Sequence, residues 1–210
     1  MTEIEKELHK ALTELRKEES KKFNQTLDLI INLQKFDLKK ESVNLFIQVP
    51  NKIKDKRICA FLTTKHEDLD TITESDFKRY SDKKTLKKLE KSYDFFISQA
   101  ILMPKVATVF GRVLGPSGKM PSPQLGIVQS AEDKSISELR ERINHSMKIR
   151  SKEASIKLGI GKQDMKDEQL VENILAIYNS LLKVLPRGSE NVKNIEIKFT
   201  MTKPQKIQIR

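Results

Sequence analysis

The sequence predicts an α/β protein of two domains, one inserted into the other. Three observations carry that prediction. Strand-type and helix-type patterns alternate along the 210-residue chain, the mark of mixed layers. The stretches 1–50 and 152–210 offer one helix with two strands and one helix with three strands, and a segment of ~60 residues is near the lower limit for an independent core. The middle stretch, 57–151, runs strand, helix, strand, helix, enough for a small parallel sheet of its own. Joined, the two ends make a two-layer unit with two helices on one face of a sheet. The expected division is 1–56 with 152–210 as a split domain and 57–151 as the insert. Hinges are expected near Asn51–Lys56 and Arg150–Glu153.

Each element has a local reason. Residues 3–19 read as a helix, because Ile4, Leu8, Ala11, Leu12 and Leu15 recur at three and four. Thr2 with Glu5 fits a capping box at its start. Residues 26–33 (Thr-Leu-Asp-Leu-Ile-Ile-Asn-Leu) and 43–49 read as strands, the second stopped by Pro50. Residues 51–56 are polar and basic, as a linker would be. A third strand covers 57–63, a Lys-rich helix 83–91 with Leu86 and Leu89 facing in, and a strand 93–98. A short helix starts after Pro104, a residue favoured at the first helical position. Ser135 with Glu138 opens a helix to Asn144. A strand over 154–160 precedes a long helix from Met165 to Leu185, ended by Pro186 and Gly188. Residues 194–199 and 206–210 alternate as half-buried strands do.

Composition narrows the function. Forty Lys and Arg against 29 Asp and Glu give a net charge of +11 and a pI near 9.6. Hydrophobic residues make up 37%, enough for a core. Cys59 is the sole cysteine, which excludes a disulfide-stapled scaffold and a cysteine zinc cluster and fits a reducing cytosol. No apolar run approaches the ~18–20 residues of a membrane span. The acidic start Met1-Thr-Glu-Ile-Glu-Lys-Glu7 does not resemble a signal peptide. The excess charge points to a polyanionic partner, most simply nucleic acid. It is spread over the chain at +2 for residues 1–56, +5 for 57–151 and +4 for 152–210. After Glu196 no acid follows, while Lys198, Lys203, Lys206 and Arg210 do.

Catalytic chemistry finds no support. His9, His66 and His145 are the only histidines, and none has a partner at metal-ligand spacing. No nucleophile motif surrounds Cys59 or any serine. Asp164, Asp167 and Glu168 cluster where a helix begins, and the helix dipole accounts for them. Neither a catalytic residue, a metal nor a cofactor is expected.

The segment 104–126 gathers four of the seven glycines and four of the seven prolines. It reads as a rigid loop presenting Arg112 and Lys119. It is no Walker loop, since only two residues separate Gly115 from Gly118 and Met120 follows Lys119.

Its central run, Phe110-Gly-Arg-Val-Leu-Gly-Pro-Ser-Gly-Lys-Met-Pro121, closely resembles the signature loop of the ribosomal protein L-one family. That loop comprises Gly111, Arg112, Gly115, Pro116, Gly118, Lys119, Met120 and Pro121. The resemblance extends to Phe23-Asn-Gln-Thr26, Tyr93-Asp-Phe-Phe-Ile97, Leu102-Met-Pro104, Ile149-Arg-Ser151, Gly161-Lys-Gln-Asp-Met165, Glu172-Asn173 and Thr200-Met201. It covers nearly the whole chain and looks like the archaeal and eukaryotic branch. The resemblance implies a split two-layer domain carrying a Rossmann-like, three-layer insert. It further implies binding of the large-subunit side-stalk rRNA and help in releasing deacylated tRNA from the exit site. For some members it implies repression of their own mRNA. Such a protein is cytoplasmic, ribosome-bound and monomeric when free, with no membrane partner.

The RNA-contacting positions that the resemblance implies are Lys22, Phe23 and Thr26, then Lys157 and Gly161, then Thr200 and Met201, with Lys203 as a further phosphate contact. Threonine hydroxyls suit ribose, Phe23 and Met201 suit sugar or base faces, and lysines suit phosphates. One departure stands out. The family's glycine after Thr-Met is Thr202 here, and a β-branched residue resists positive φ. The segment after 57–63 also looks shortened or diverged, which implies a trimmed insert. The alternative reading is a non-ribosomal RNA-binding regulator of the same fold, separated from the first by co-sedimentation with the large subunit.

Overall fold

The computed structural model describes residues 3–17, 22–37, 41, 43–66, 69–129, 133–151 and 153–207. Thr2 of the expected capping box and Arg210 of the basic C-terminus lie outside them. The chain divides into two compact units, Met1–Lys54 with His145–Arg210, and Asp55–Asn144.

The first unit is built by interleaving the two ends of the chain. Strand β1 (Thr26–Leu33) lies between β8 (Ser155–Lys162) and β9 (Val192–Phe199), antiparallel to both. The sheet is completed by β10 (Gln205–Ile207), giving the order β10-β9-β1-β8. Residues of β1 alternate strictly between half-buried and buried. Leu27, Leu29, Ile31 and Leu33 therefore face one side, with Ile195, Ile197 and Phe199 of β9. Helices α1 (Glu3–Lys17) and α5 (Asp167–Val184) bring Leu8, Leu12, Leu15, Leu170, Ile174, Ile177 and Leu181 into the same core. The other face of the sheet carries Asp28, Ile30 and Asn32 and is not part of that core. This is the two-layer arrangement, and it explains why neither end stands alone: the N-terminal strand is the middle of a C-terminal sheet.

One strand lies in a different unit from the one the sequence assigned. Strand β7 (Ser146–Arg150) pairs antiparallel with β2 (Asn44–Gln48), from Asn44 opposite Arg150 to Gln48 opposite Ser146. The second crossing between units therefore falls at Asn144–His145 rather than after Ser151. Residues 145–151 fall inside the expected insert, 57–151, yet they pair with a strand of the first unit. Their partner strand is about a hundred residues away in the chain.

A polar knot fastens the outgoing linker to the first unit. The buried Asn173 accepts from the Asn51 amide at 2.9 Å and donates to the carbonyls of Asn51 at 3.0 Å and Ile160 at 3.1 Å. Every hydrogen-bonding group of that buried amide is used or nearly so.

The insert is a parallel sheet of order β4-β3-β5-β6, from β3 (Ile58–Phe61), β4 (Asp70–Ile72), β5 (Phe95–Gln99) and β6 (Ile127–Val128). One face holds an aromatic cluster in which Phe110 meets Phe61 at 4.7 Å and Phe77 at 5.2 Å between ring centroids. Ala60 and Ile97 point the other way and are buried, as are Ile136, Leu139 and Ile143 of α4 (Asp133–Asn144). Both faces are covered, the three-layer condition. The link from β3 to β4, residues 62–69, contains no helix among its described residues.

The glycine- and proline-rich segment is mostly helix. Helix α3 spans Met103–Ser117, so Gly111, Arg112, Gly115 and Pro116 are helical and only Gly118 onward forms a loop. Composition misled here because Pro116 sits in the last turn, where a missing N–H costs one bond. Gly118, at φ 74°, then ends the helix. Its N–H reaches the Gly115 carbonyl at 2.9 Å, and the Lys119 N–H reaches Leu114 at 3.0 Å. These paired bonds form the Schellman closure, which needs a residue tolerant of the left-handed region.

Candidate nucleic-acid interface

The start of β1, the end of β8 and the β9–β10 turn meet at one end of the four-stranded sheet. Thr26 is opposite Lys162, and Leu27 is opposite both Gly161 and Phe199. The Thr26 amide donates to Thr200 Oγ1 at 3.2 Å, and the Thr200 amide donates to the Thr26 carbonyl at 3.1 Å. Gln25 is only 2% exposed; its Oε1 accepts the Met201 amide at 3.0 Å, and its carbonyl accepts the Gln163 amide at 2.9 Å. Segments 174 to 176 positions apart are thus locked together.

On this rigid base stand two exposed apolar side chains, Phe23 at 51% and Met201 at 63%. Both lie within a few residues of the Gln25–Met201 bond. A solvated Phe and Met on a fixed frame can cover a sugar or base face without reordering. Lys22 and Lys203 are exposed beside them in the sequence.

Thr202 needs no positive φ: Lys35 is the only non-glycine with one among the described residues. Instead its hydroxyl accepts the Phe199 amide at 2.9 Å, and its own amide donates to the Phe199 carbonyl at 3.1 Å. The threonine closes the turn by a side-chain bond that glycine could not make.

The other expected positions have these surroundings. Gly161 is buried, and a Cβ there would lie 2.2 Å from Leu170 Cδ2 and 3.2 Å from Met165 Sδ. Its missing side chain lets α5 pack against the strand. Thr200 spends its hydroxyl on Thr26, which makes it a positioning residue. Lys157 is exposed on the open face opposite Ile30, with Glu153 at 3.2 Å. Lys119 is turned inward: its Nζ donates to the carbonyls of Glu90 at 2.6 Å and Tyr93 at 3.0 Å and pairs with Glu90 Oε1 at 2.9 Å. It secures the C-terminal end of α2 (Lys83–Ser92), so it is not offered to a polyanion. Arg112 is exposed, Met120 packs against the aromatic core and Pro121 is buried.

The open face also holds groups that no sequence motif assigned to the site. Lys198 is opposite Asp28, and Lys162 Nζ donates to Thr26 Oγ1 at 3.0 Å. Burial pushes the Asp28 carboxyl above the usual carboxylate range, while Lys198 and Lys162 pull it back. Gly159 sits at the bulge in β8, where a Cβ would come 3.0 Å from Thr26 Cγ2. Strand register alone would have put Lys198 and Lys162 beside Thr26, had the pairing of β1 been known.

Nucleophilic and metal chemistry gain nothing from the structure. Cys59 is fully buried and its thiol is pushed up to about 12 by desolvation and, secondarily, by Asp70, so it is neutral near pH 7. Among the described residues no three His, Cys, Asp or Glu are grouped to hold a metal ion, and no helix is long and apolar enough to cross a membrane.

A basic, split α/β chain with solvent-exposed Phe and Met on a lysine-flanked sheet end defines a protein of the RNA-binding class. The profile of the Ribosomal protein L1p/L10e family matches residues 15–203, and the chain belongs to that family. It is 32% identical over 197 residues to the large ribosomal subunit protein uL1 of Nanoarchaeum equitans, covering 89% of this chain and 92% of the relative. It is 31% identical to that of Cenarchaeum symbiosum (94% of each chain) and 33% to that of Pyrobaculum islandicum (94% and 90%). RNA binding is general to this ribosomal protein family.

Proposed function

We propose that the protein is a structural constituent of the large ribosomal subunit that binds the rRNA of the side stalk through the end of its four-stranded sheet. The observation that carries this reading is the exposed Phe23 and Met201 on a frame fixed by the Thr26–Thr200 and Gln25–Met201 bonds. In this reading Phe23 and Met201 lie against sugar or base faces. The Thr26 hydroxyl, which accepts from Lys162, still has a proton for a ribose oxygen. Lys22, Lys157 and Lys203 meet phosphates.

The same reading extends to finer properties. From the side stalk the protein assists the release of deacylated tRNA from the exit site. It represses its own mRNA where that message copies the rRNA site. It acts in the cytoplasm without enzymatic activity and is a monomer when off the ribosome. The deciding experiment is gradient co-sedimentation with large subunits, followed by a footprint on the subunit rRNA. Co-sedimentation with protection of one stalk segment, lost in Met201→Asp, is the expected result. RNA binding without any co-sedimentation would select the non-ribosomal regulator instead.

A further inference from the structure

The insert concentrates its positive charge in one place. Residues 78–91 carry seven Lys and Arg against two Asp and Glu, while the rest of residues 55–144 carry nine against eleven. In α2, Lys83, Lys84, Lys87, Lys88 and Lys91 are all exposed, and Leu86 and Leu89 are buried. Spacings of one, four, five and eight put those lysines on one side of the helix, along ~12 Å of axis. A like-charged row of this density is unfavourable in the free protein, and phosphates are the partner that relieves it.

Next to that row lies a groove of about 730 Å³, whose walls include Lys78, Lys83 and Arg112 and no carboxylate. Its floor is apolar and aromatic, with Tyr80, Val109 and Val113. The Tyr80 ring rests against Phe110 at 5.6 Å, so it is held in place. Burial raises the Tyr80 phenol above its ordinary range, so its hydroxyl is a neutral donor near pH 7, as a free phenol is.

We propose that the insert bears a second RNA surface, for single-stranded RNA, with an unstacked base in the Tyr80 groove and its flanking phosphates on Lys78, Lys83, Lys87 and Arg112. The groove selects this partner over the two nearest rivals. A base presents a flat π-face to Tyr80, which an acidic peptide does not. A duplex keeps its bases stacked and could use only the lysines. The surface lies wholly within the insert, so it is independent of the Phe23–Met201 site.

The test uses the full chain carrying Met201→Asp, which weakens the sheet-end site. Binding of a fluorescent twelve-nucleotide uridine strand should persist. Its log–log salt slope should fall by about two, and its affinity at least tenfold, when Lys83→Glu, Lys87→Glu and Arg112→Glu are added. Ultraviolet cross-linking to the wild-type chain should mark the peptide containing Tyr80, and circular dichroism should show the variant folded. The proposal is overturned if the charge reversals leave binding unchanged or if cross-links fall only outside residues 55–144. Equal binding of a duplex, or of polyglutamate, overturns it as well. Loss of stalk rRNA binding in Met201→Asp with none of these effects in the insert would uphold the sheet-end reading and sink this one alone.

Discussion

In the first unit, the side chains proposed to meet RNA stand on a frame held by bonds between residues 174 and 176 positions apart. In the insert, the lysine face of α2 is set by helical periodicity within nine residues, Lys83 to Lys91. The first surface is nearly neutral at its centre, with Phe23, Met201 and Thr26. The second is almost all charge around one aromatic groove. Geometry fixed by long-range pairing suits recognition of one RNA shape. Charge fixed by local periodicity suits affinity for any phosphate chain. The two lie in units with separate hydrophobic cores, so each can be broken without the other.

That independence gives the largest expected effect. Phe110→Ala removes the ring shared by Phe61, Phe77 and Tyr80 and should destabilise the insert by about 3–5 kcal/mol. Calorimetry should then show two transitions, the lower one from the insert, while stalk rRNA binding at low temperature persists. A single lowered transition with RNA binding lost would show that the units fold as one.

Met201→Asp comes next. Losing an apolar cover and placing a carboxylate against phosphates should weaken stalk rRNA binding by about 2–3 kcal/mol, roughly 30- to 150-fold. The melting temperature should hold, since the side chain is exposed. Unchanged affinity in a filter-binding assay would remove Met201 from the interface.

Thr200→Val probes positioning. It deletes the oxygen that accepts the Thr26 amide and should reduce affinity by about 1 kcal/mol, near fivefold. The salt slope should stay the same, because no phosphate contact is lost. A change of slope would instead make Thr200 a direct contact.

Asp28→Asn should strengthen binding, by up to about fivefold, as the half-buried carboxylate beside Lys198 and Lys162 loses its charge and leaves both lysines to phosphates. The pH dependence has a definite sign. The folded Asp28 carboxyl titrates above its unfolded value, so the fold takes up the proton first as pH falls. Its protonation favours the fold, and that gain appears as pH drops through the raised folded pKa. Wild-type RNA affinity should approach that of Asp28→Asn over the same range.

The smallest effect is Lys203→Ala, which should lower the salt slope by about one contact with little change in sequence preference.

The sequence announced much of the terminal unit, because a strand with one buried face writes its period into the chain: Leu27, Leu29, Ile31 and Leu33 alternate as they must. It announced α1, α2 and α5 by their apolar spacing, and family membership by the run from Phe110 to Pro121. It misjudged the shape of that run. Glycine and proline content signals a loop on average, whereas the helix survives when proline falls in its last turn and glycine at its exit. Lys119 shows the same limit, since a lysine in a motif can turn inward onto carbonyls that only packing brings near.

What the amino-acid order determined by itself is periodic and local: which residues face a core, where helices stop, and how much charge α2 carries. What only the tertiary structure decided is which distant segments share an edge. Strand pairing is chosen by the joint burial of several faces, and no single segment encodes it. That choice put β7 beside β2, set Gly161 under Leu170, and closed the Thr202 turn by a hydroxyl. It also brought Lys162 and Lys198 to the strand that begins at Thr26.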